Sequence, residues 1–317
     1  MTRVTDGRAV RVRVPATSAN LGPGFDTLGI ALARYDELEV QALEPGRLEI
    51  EVEGIGAESV PRDERHLVIR SLRHALDRFG VEQPGLRLRA VNAIPHGRGM
   101  GSSAAAIVGG VMAAAGLVGD RMEVSGEMLL ELANEIEGHP DNVAPCLFGG
   151  LTIAWVDAAG RARSKQLAVH RGVSLVVFVP DTMLSTEVAR SLQPEQVPHA
   201  DAVFNLSRSS LLVAALIQTP DVLFDATEDR IHQDYRASAM PTTKALVDDL
   251  RAQGLAAVVS GAGPSVLVLC DDPEDRLRAA EIARARPDAT WETVMTAVDV
   301  QGATVETASV PGASSPA

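Results

Sequence analysis

The chain has 317 residues, 46% hydrophobic and 22% charged, enough for one large or two ordinary globular domains with an ample core. Its formal net charge of −13 argues against a nucleic-acid or anionic-membrane partner. With 27 arginines against 2 lysines, any anionic ligand must be held by guanidinium forks, helix dipoles and a metal. The two cysteines, Cys146 and Cys270, build neither a disulfide framework nor a metal spacing, which fits a reducing cytoplasm. The first six residues lack an apolar core, which argues against a secretory signal.

In chain order, Val10–Val14 alternates with period two and reads as a strand. It enters Pro15-Ala16-Thr17-Ser18-Ala19-Asn20-Leu21-Gly22-Pro23-Gly24-Phe25-Asp26, a polar, turn-rich stretch that is either a surface turn or a site-bearing loop. Tyr35–Ala42 and Arg47–Glu53 read as strands about the turn Glu44-Pro45-Gly46, and His66–Phe79 as an amphipathic helix with His66 at the surface. A strand over Leu86–Val91 then leads into Pro95-His96-Gly97-Arg98-Gly99-Met100-Gly101-Ser102-Ser103 and the small apolar run Ala104–Val118. Strand, glycine-rich turn and helix start make backbone N–H groups converge on an anion. Ser102 and Ser103 can cap the helix and still offer a hydroxyl to a phosphate-bound metal. The loop is no Walker A, since Gly101 stands where the lysine belongs, and no strand lysine follows soon after it to make it a protein-kinase loop, the chain's two lysines being Lys165 and Lys244. The apolar run, 15 residues rich in Ala and Gly, falls short of a membrane span and reads as a helix buried on all sides.

Glu127–Glu137 reads as a second helix, ended by Gly138 and followed by His139-Pro140-Asp141-Asn142-Val143-Ala144-Pro145, a sharp, non-helical segment. Val173–Val179 is a continuous apolar strand of a second domain, with a boundary in the polar stretch near 155–172. Ser185–Arg190, a helix over Asp201–Leu216, His232–Arg236, and a strand–turn–strand over Gly254–Leu269 follow. The small polar residues after Thr304 read as a disordered tail.

These pieces carry a resemblance. P-H-G-R-G-M-G-S-S-A is similar to the phosphate loop of the GHMP kinases. P-A-T-S-A-N-L-G-P-G-F-D, H-P-D-N-V-A-P with its following Gly-Gly, S-T-E-V-A-R and H-Q-D-Y-R resemble, in order, the motifs of the homoserine kinase family. The resemblance implies an α+β, two-domain GHMP fold: a ribosomal-S5-domain-2-like ATP-binding domain over residues 1–165, a ferredoxin-like domain over 166–303, and a tail over 304–317. It implies an ATP-dependent phosphotransferase acting on the L-homoserine hydroxyl in threonine biosynthesis, cytoplasmic and homodimeric. By the same resemblance Pro95, His96, Gly97, Arg98, Gly99, Met100, Gly101, Ser102, Ser103, Ala104 and Ala105 would wrap ATP, and Ser103 and Glu131 would hold Mg²⁺. Asn20, Asp26, Asn142, Arg190 and Arg236 would bind the amino acid, the arginines at its carboxylate and Asp26 at its ammonium. Asn142 or Asn20 would orient the hydroxyl, with Asp141 and His139 as candidate bases and a mechanism without a dedicated base as the preferred reading. His66 replaces the family's Asn near the nucleotide base, Leu130 its Gly before the metal-binding Glu, and Gln193 its Leu. The alternatives are another GHMP small-molecule kinase or a nucleotide-binding sensor without chemistry. A serine hydrolase using Ser102 or Ser260 would need the G-x-S-x-G setting that neither has.

Overall fold

The computed structural model describes residues 2–308. After a two-residue strand, β1 (Thr2–Arg3), the Val/Arg alternation becomes β2 (Ala9–Ala19), with Val10, Val12 and Val14 buried and Arg11 and Arg13 exposed. The strand continues past the irregularity at Pro15/Ala16, so the loop expected from Pro15 begins at Asn20. β3 (Leu28–Leu43) and β4 (Leu48–Gly54) do not pair with each other. After α1 (Leu67–Arg78) and β5 (Val81–Glu82), which pairs with β1, the strand β6 (Gly85–Asn92) inserts between them, antiparallel to β3 and parallel to β4.

α2 (Ser102–Val118) is the expected buried helix, its Ala104, Val108 and Val111 in one core with the valines of β2 and with Leu72 and Leu76 of α1. α3 (Gly126–Glu137) is capped by the Ser125 hydroxyl, which accepts the Met128 N–H, and ends at Gly138. The segment expected to be non-helical is α4 (Pro140–Phe148). Proline is suited to the first helical position, where its missing N–H costs nothing, and Asp141 faces the positive end of the helix dipole. β7 (Leu151–Val156) and β8 (Ala162–Leu167) extend the first sheet from β3.

The second sheet runs β10 (Ala256–Val259), β11 (Val266–Cys270), β9 (Ser174–Pro180) and β12 (Trp291–Thr296), all antiparallel. β10, β11 and β9 are apolar almost throughout because both faces are covered, while the edge strand β12 is more polar and more exposed. Val176, Phe178, Val266 and Val268 pack with α9 (Pro241–Ala252) and α10 (Pro273–Ala285). Leu175, Val177, Leu267 and Leu269 face the core shared with α6 (His199–Ile217) and α7 (Leu223–Ala226). α6 is long and apolar enough by composition to cross a membrane, with mean hydropathy 1.3. It instead lays Leu212, Ala215 and Leu216 against this sheet. Two short helices, α5 (Thr186–Ser191) and α8 (Gln233–Arg236), carry the S-T-E-V-A-R and H-Q-D-Y-R motifs.

β13 (Thr304–Ala308) pairs with β2 at the edge of the first sheet. The tail expected over 304–317 therefore opens with a strand, and its remainder, 309–317, lies outside the described residues. The expected boundary at 165 falls inside β8.

Where β6 turns toward the glycine loop, the buried Asp36 carboxylate accepts the N–H groups of Ala93 (2.7 Å) and Ile94 (2.9 Å) on one oxygen, Oδ1. Burial pushes its pKa up to about 6, so its contribution to stability is full below pH 4 and lost as pH rises through about 6. An amide oxygen accepts the same two N–H groups without carrying charge. Asp36→Asn is expected to be more stable than the parent at pH 7.5 by about 2–3 kcal/mol, the gap closing toward pH 4. Denaturant unfolding at the two pH values checks this; a less stable variant at pH 7.5 would show that the charge itself holds the turn.

Candidate active site

The glycine loop lies against the second half of the chain. A Cβ on Gly99 would stand 2.2 Å from the Ser260 carbonyl oxygen, and one on Gly101 would stand 1.9 Å from Thr17 Oγ1. Both positions also need positive φ, 74° and 69°, so only glycine fits. The strand–turn–strand expected over Gly254–Leu269 thus closes on the first loop, with the Ser260 hydroxyl donating to the Gly99 carbonyl (2.6 Å) and accepting from the Ser18 hydroxyl (2.8 Å). A fully buried Ser260 spent on these bonds is no nucleophile. Helix α2 is capped by Gly101 in the left-handed conformation, with no side-chain bond at the cap. Ser102 and Ser103 are its first two residues rather than its caps, which leaves their hydroxyls free for other partners.

Ser103 uses its hydroxyl on Glu137, the last residue of α3, donating to Oε2 at 2.6 Å. Burial raises the Glu137 pKa, against the pull of Ser103 and His139. Glu137 lines the cleft under the glycine loop together with Gly97, Gly99, Gly101, Ser102 and Ser103. Glu131, expected in this role, does not line it. Six residues before Glu137 on the same helix, it sits about 9 Å back along the axis and some 240° around it. The eleven-residue count to Asn142 places Glu131 well before the end of the helix, where Glu137 faces the cleft. The signal that finds Glu137 was present in the sequence: an acid at a helix end, held by Gly138 directly before the H-P-D-N turn.

The opposite side of the same cleft is built by the loop after β2. Asn20, Leu21 and Asp26 all adopt positive φ, which needs outside support in residues with a Cβ. Asn20 gives some of it, donating to the Gly261 carbonyl (2.8 Å) and accepting the Asp26 N–H (2.9 Å). Asp26 receives a two-pronged ion pair from Arg190 of α5 (2.7 and 3.0 Å), so the two side chains expected at opposite ends of the amino acid hold each other. Arg236 is 1% exposed, and its Nε and Nη1 find no hydrogen-bond partner. Burial and the neighbouring Arg190 charge lower its pKa. Its guanidinium carbon lies 5.0 Å from the Phe25 ring centroid.

Between the two sides, α4 presents Asp141 and Asn142 from its first turn. Asn142 Oδ1 accepts the Thr17 hydroxyl (2.9 Å), which aims the amide nitrogen at the cleft. Thr17 was quoted within its motif but not singled out. Asp141, 2% exposed, is bonded through Oδ1 to His139 Nδ1 (2.9 Å). Burial opposes a charge on His139, yet Asp141 and Glu137 together push its pKa up.

Of the remaining loop residues, Pro95, Met100, Ala104 and Ala105 are buried, and Arg98 donates to the Asp181 carbonyl (2.8 Å). His96 and Ala105 line a second cavity that shares Ser102 and Ser103 with the cleft. His66 lines it too. It is 6% exposed rather than a surface residue, with Nδ1 buried and unpartnered. Among the described residues no three His, Cys, Asp or Glu side chains gather to hold a metal. A phosphate-bound cation taking only the Ser103 and Glu137 oxygens is compatible with that.

A glycine loop at a helix start, an acid–hydroxyl pair below it and an acceptor pocket facing it define a kinase of small molecules. Family models described as the GHMP kinases N terminal domain and GHMP kinases C terminal match residues 66–150 and 213–289. Homoserine kinase of Leifsonia xyli is 61% identical over 96% of this chain and 95% of its own, and that of Streptomyces avermitilis 51% over 94% and 95%. The crystal structure of homoserine kinase from Cytophaga hutchinsonii superposes with a TM-score of 0.82 at 28% identity, covering 94% of this chain and 97% of that one. Mevalonate kinase of L. major, in complex with R-mevalonate, shares the fold at a TM-score of 0.68 and 17% identity, covering 95% and 99%. The chain belongs to the homoserine kinase family of the GHMP kinases.

Proposed function

We propose that the protein transfers the γ-phosphoryl group of ATP to the side-chain hydroxyl of L-homoserine, giving O-phospho-L-homoserine for threonine biosynthesis. The observation that carries this is Arg236: a buried, unpaired guanidinium facing the same cleft as the glycine loop is a socket for a small carboxylate. Both cysteines are buried free thiols, which suits a cytoplasmic enzyme.

Phosphoryl transfer asks for alignment and charge neutralisation more than covalent chemistry. The glycine loop and the start of α2 would cradle the triphosphate, and the cavity with His66 would take the nucleotide base. Ser103 and Glu137, an all-oxygen pair with one carboxylate, fit Mg²⁺. Bound there, the ion would neutralise charge on the phosphate oxygens. Arg236 holds the carboxylate of the amino acid. Asp26 serves its ammonium and keeps Arg190 within reach of the carboxylate. The Asn142 amide, turned by Thr17, orients the hydroxyl.

Asp141 gives one carboxylate oxygen to His139, and Asn142 is the side chain placed to orient the hydroxyl, so the reading keeps a mechanism without a dedicated base. Asn142→Ala is accordingly expected to lose roughly 10²–10³ in kcat with ATP affinity close to the parent. A far larger loss in Asp141→Asn, with stability intact, would establish a base.

The reading is tested by ADP release with Mg·ATP and L-homoserine, L-threonine, L-serine, mevalonate or shikimate. Turnover with homoserine, abolished by chelation, is expected. Turnover only with another acceptor would move the specificity, and ATP binding without turnover would favour a sensor.

A further inference from the structure

The acceptor loop is gripped from the second half of the chain at two successive carbonyls. His232, fully buried, contacts the Gly22 carbonyl oxygen through Nε2 at 2.6 Å. A carbonyl only accepts, so Nε2 carries the proton. Burial lowers the His232 pKa, against the pull of the fully buried Asp229 carboxylate 3.7 Å from the same Nε2, and Nδ1 has no partner, so Nε2 is the ring's one committed donor. The ring also stacks on Phe25, centroids 4.9 Å apart at 20°. Asn205 of α6, 3% exposed, donates its amide to the Pro23 carbonyl (3.0 Å). Its own oxygen accepts the Arg230 N–H (2.9 Å), which fixes which end of the amide faces the loop. Neither side chain lines the cleft.

We infer that His232 and Asn205 are positioning residues. They hold residues 20–26 in their positive-φ form, so that the second half of the chain sets the placement of Asn20 and Asp26. Without the two donors the carbonyls of Gly22 and Pro23 are buried and unsatisfied, and the loop relaxes toward ordinary backbone angles. Phe25 ties the grip to the carboxylate socket, since it meets His232 by stacking and lies within 5.0 Å of the Arg236 guanidinium carbon. The nucleotide side of the cleft shares none of these bonds. The inference rests on the acceptor assignment proposed above.

The test separates acceptor from nucleotide. His232→Phe keeps an aromatic ring but removes the donor. Asn205→Asp keeps the shape but places an acceptor against a carbonyl. Each is expected to raise KM for the acceptor roughly 10- to 100-fold and to leave the directly measured ATP Kd within about twofold. His232→Gln, which restores a donor without the ring, is expected to recover part of the loss. An acceptor KM near the parent value in both variants would overturn the inference, as would parallel losses in acceptor and ATP binding. If the variants do not fold, nitrogen NMR of the parent decides: a His232 ring protonated at Nε2 from about pH 6 to 8 supports the grip, and a ring protonated at Nδ1 alone refutes it. Each ratio is taken with whichever acceptor the parent turns over, so a wrong acceptor shows in the parent alone and leaves the comparison intact.

Discussion

Arg236→Met is expected to raise KM for L-homoserine roughly 30- to 1000-fold, the 2–4 kcal/mol cost of losing a desolvated guanidinium–carboxylate contact, while raising the thermal midpoint of the ligand-free protein. The two effects share one cause. Nε and Nη1 of Arg236 are buried without partners, and burial already lowers its pKa, so in the ligand-free fold the charge is a liability that a carboxylate relieves. Methionine keeps most of the stem volume and removes that liability. Steady-state kinetics and a melting curve on the same preparation check both halves. An unchanged KM would remove Arg236 from the carboxylate site. A falling midpoint would show that the guanidinium is a structural member of the fold, held by its contact with Phe25.

Arg190 is not expected to behave in the same way. Its guanidinium is already paired with Asp26, and both side chains are over a third exposed, so its removal frees a solvated carboxylate rather than leaving a buried vacancy. The two arginines look equivalent in the sequence because each ends a short motif, A-R or Y-R. What separates them is burial, which depends on Phe25 and His232 from parts of the chain some 200 residues apart, and no local pattern encodes that.

The same division explains what was legible beforehand. The glycine loop announces itself because its function is local: positive φ at alternate positions and a helix start write glycines and serines next to one another. β2, β3, β4, β6, β9 and the β10–β11 pair follow from alternation or from continuous apolar runs and lie close to where they were expected, whereas β7, β8 and β12 were not expected, β8 forming inside the polar stretch read as a domain boundary. The departures come from long-range partners. Thr304–Ala308 is too short and too polar to read as a strand alone, and becomes one because β2 offers an open edge. His66 lies at the mouth of an amphipathic helix and reads as exposed, yet the cavity beside α2 buries it. Thr17 matters only because it meets Asn142, 125 positions away.

Glu137 gives the largest expected contrast, because the sequence pattern pointed to Glu131, about 1.7 turns back on the same helix. Glu137→Gln is expected to lose roughly 10²–10³ in kcat and to need roughly 10–100-fold more Mg²⁺ for half-maximal rate, whereas Glu131→Gln should stay within about twofold of the parent. The amide keeps an acceptor for the Ser103 hydroxyl, so the loss would report the missing charge rather than a broken helix end. Burial raises the Glu137 pKa, so the carboxylate forms at a higher pH than an ordinary glutamate, and activity at limiting Mg²⁺ should fall as pH drops through that raised value. The Gln variant should lack this acid limb. If Glu131→Gln is instead the damaged enzyme, or if the acid limb persists in Glu137→Gln, the metal is held elsewhere, and the short Ser103–Glu137 bond serves only to pin the start of α2 to the end of α3.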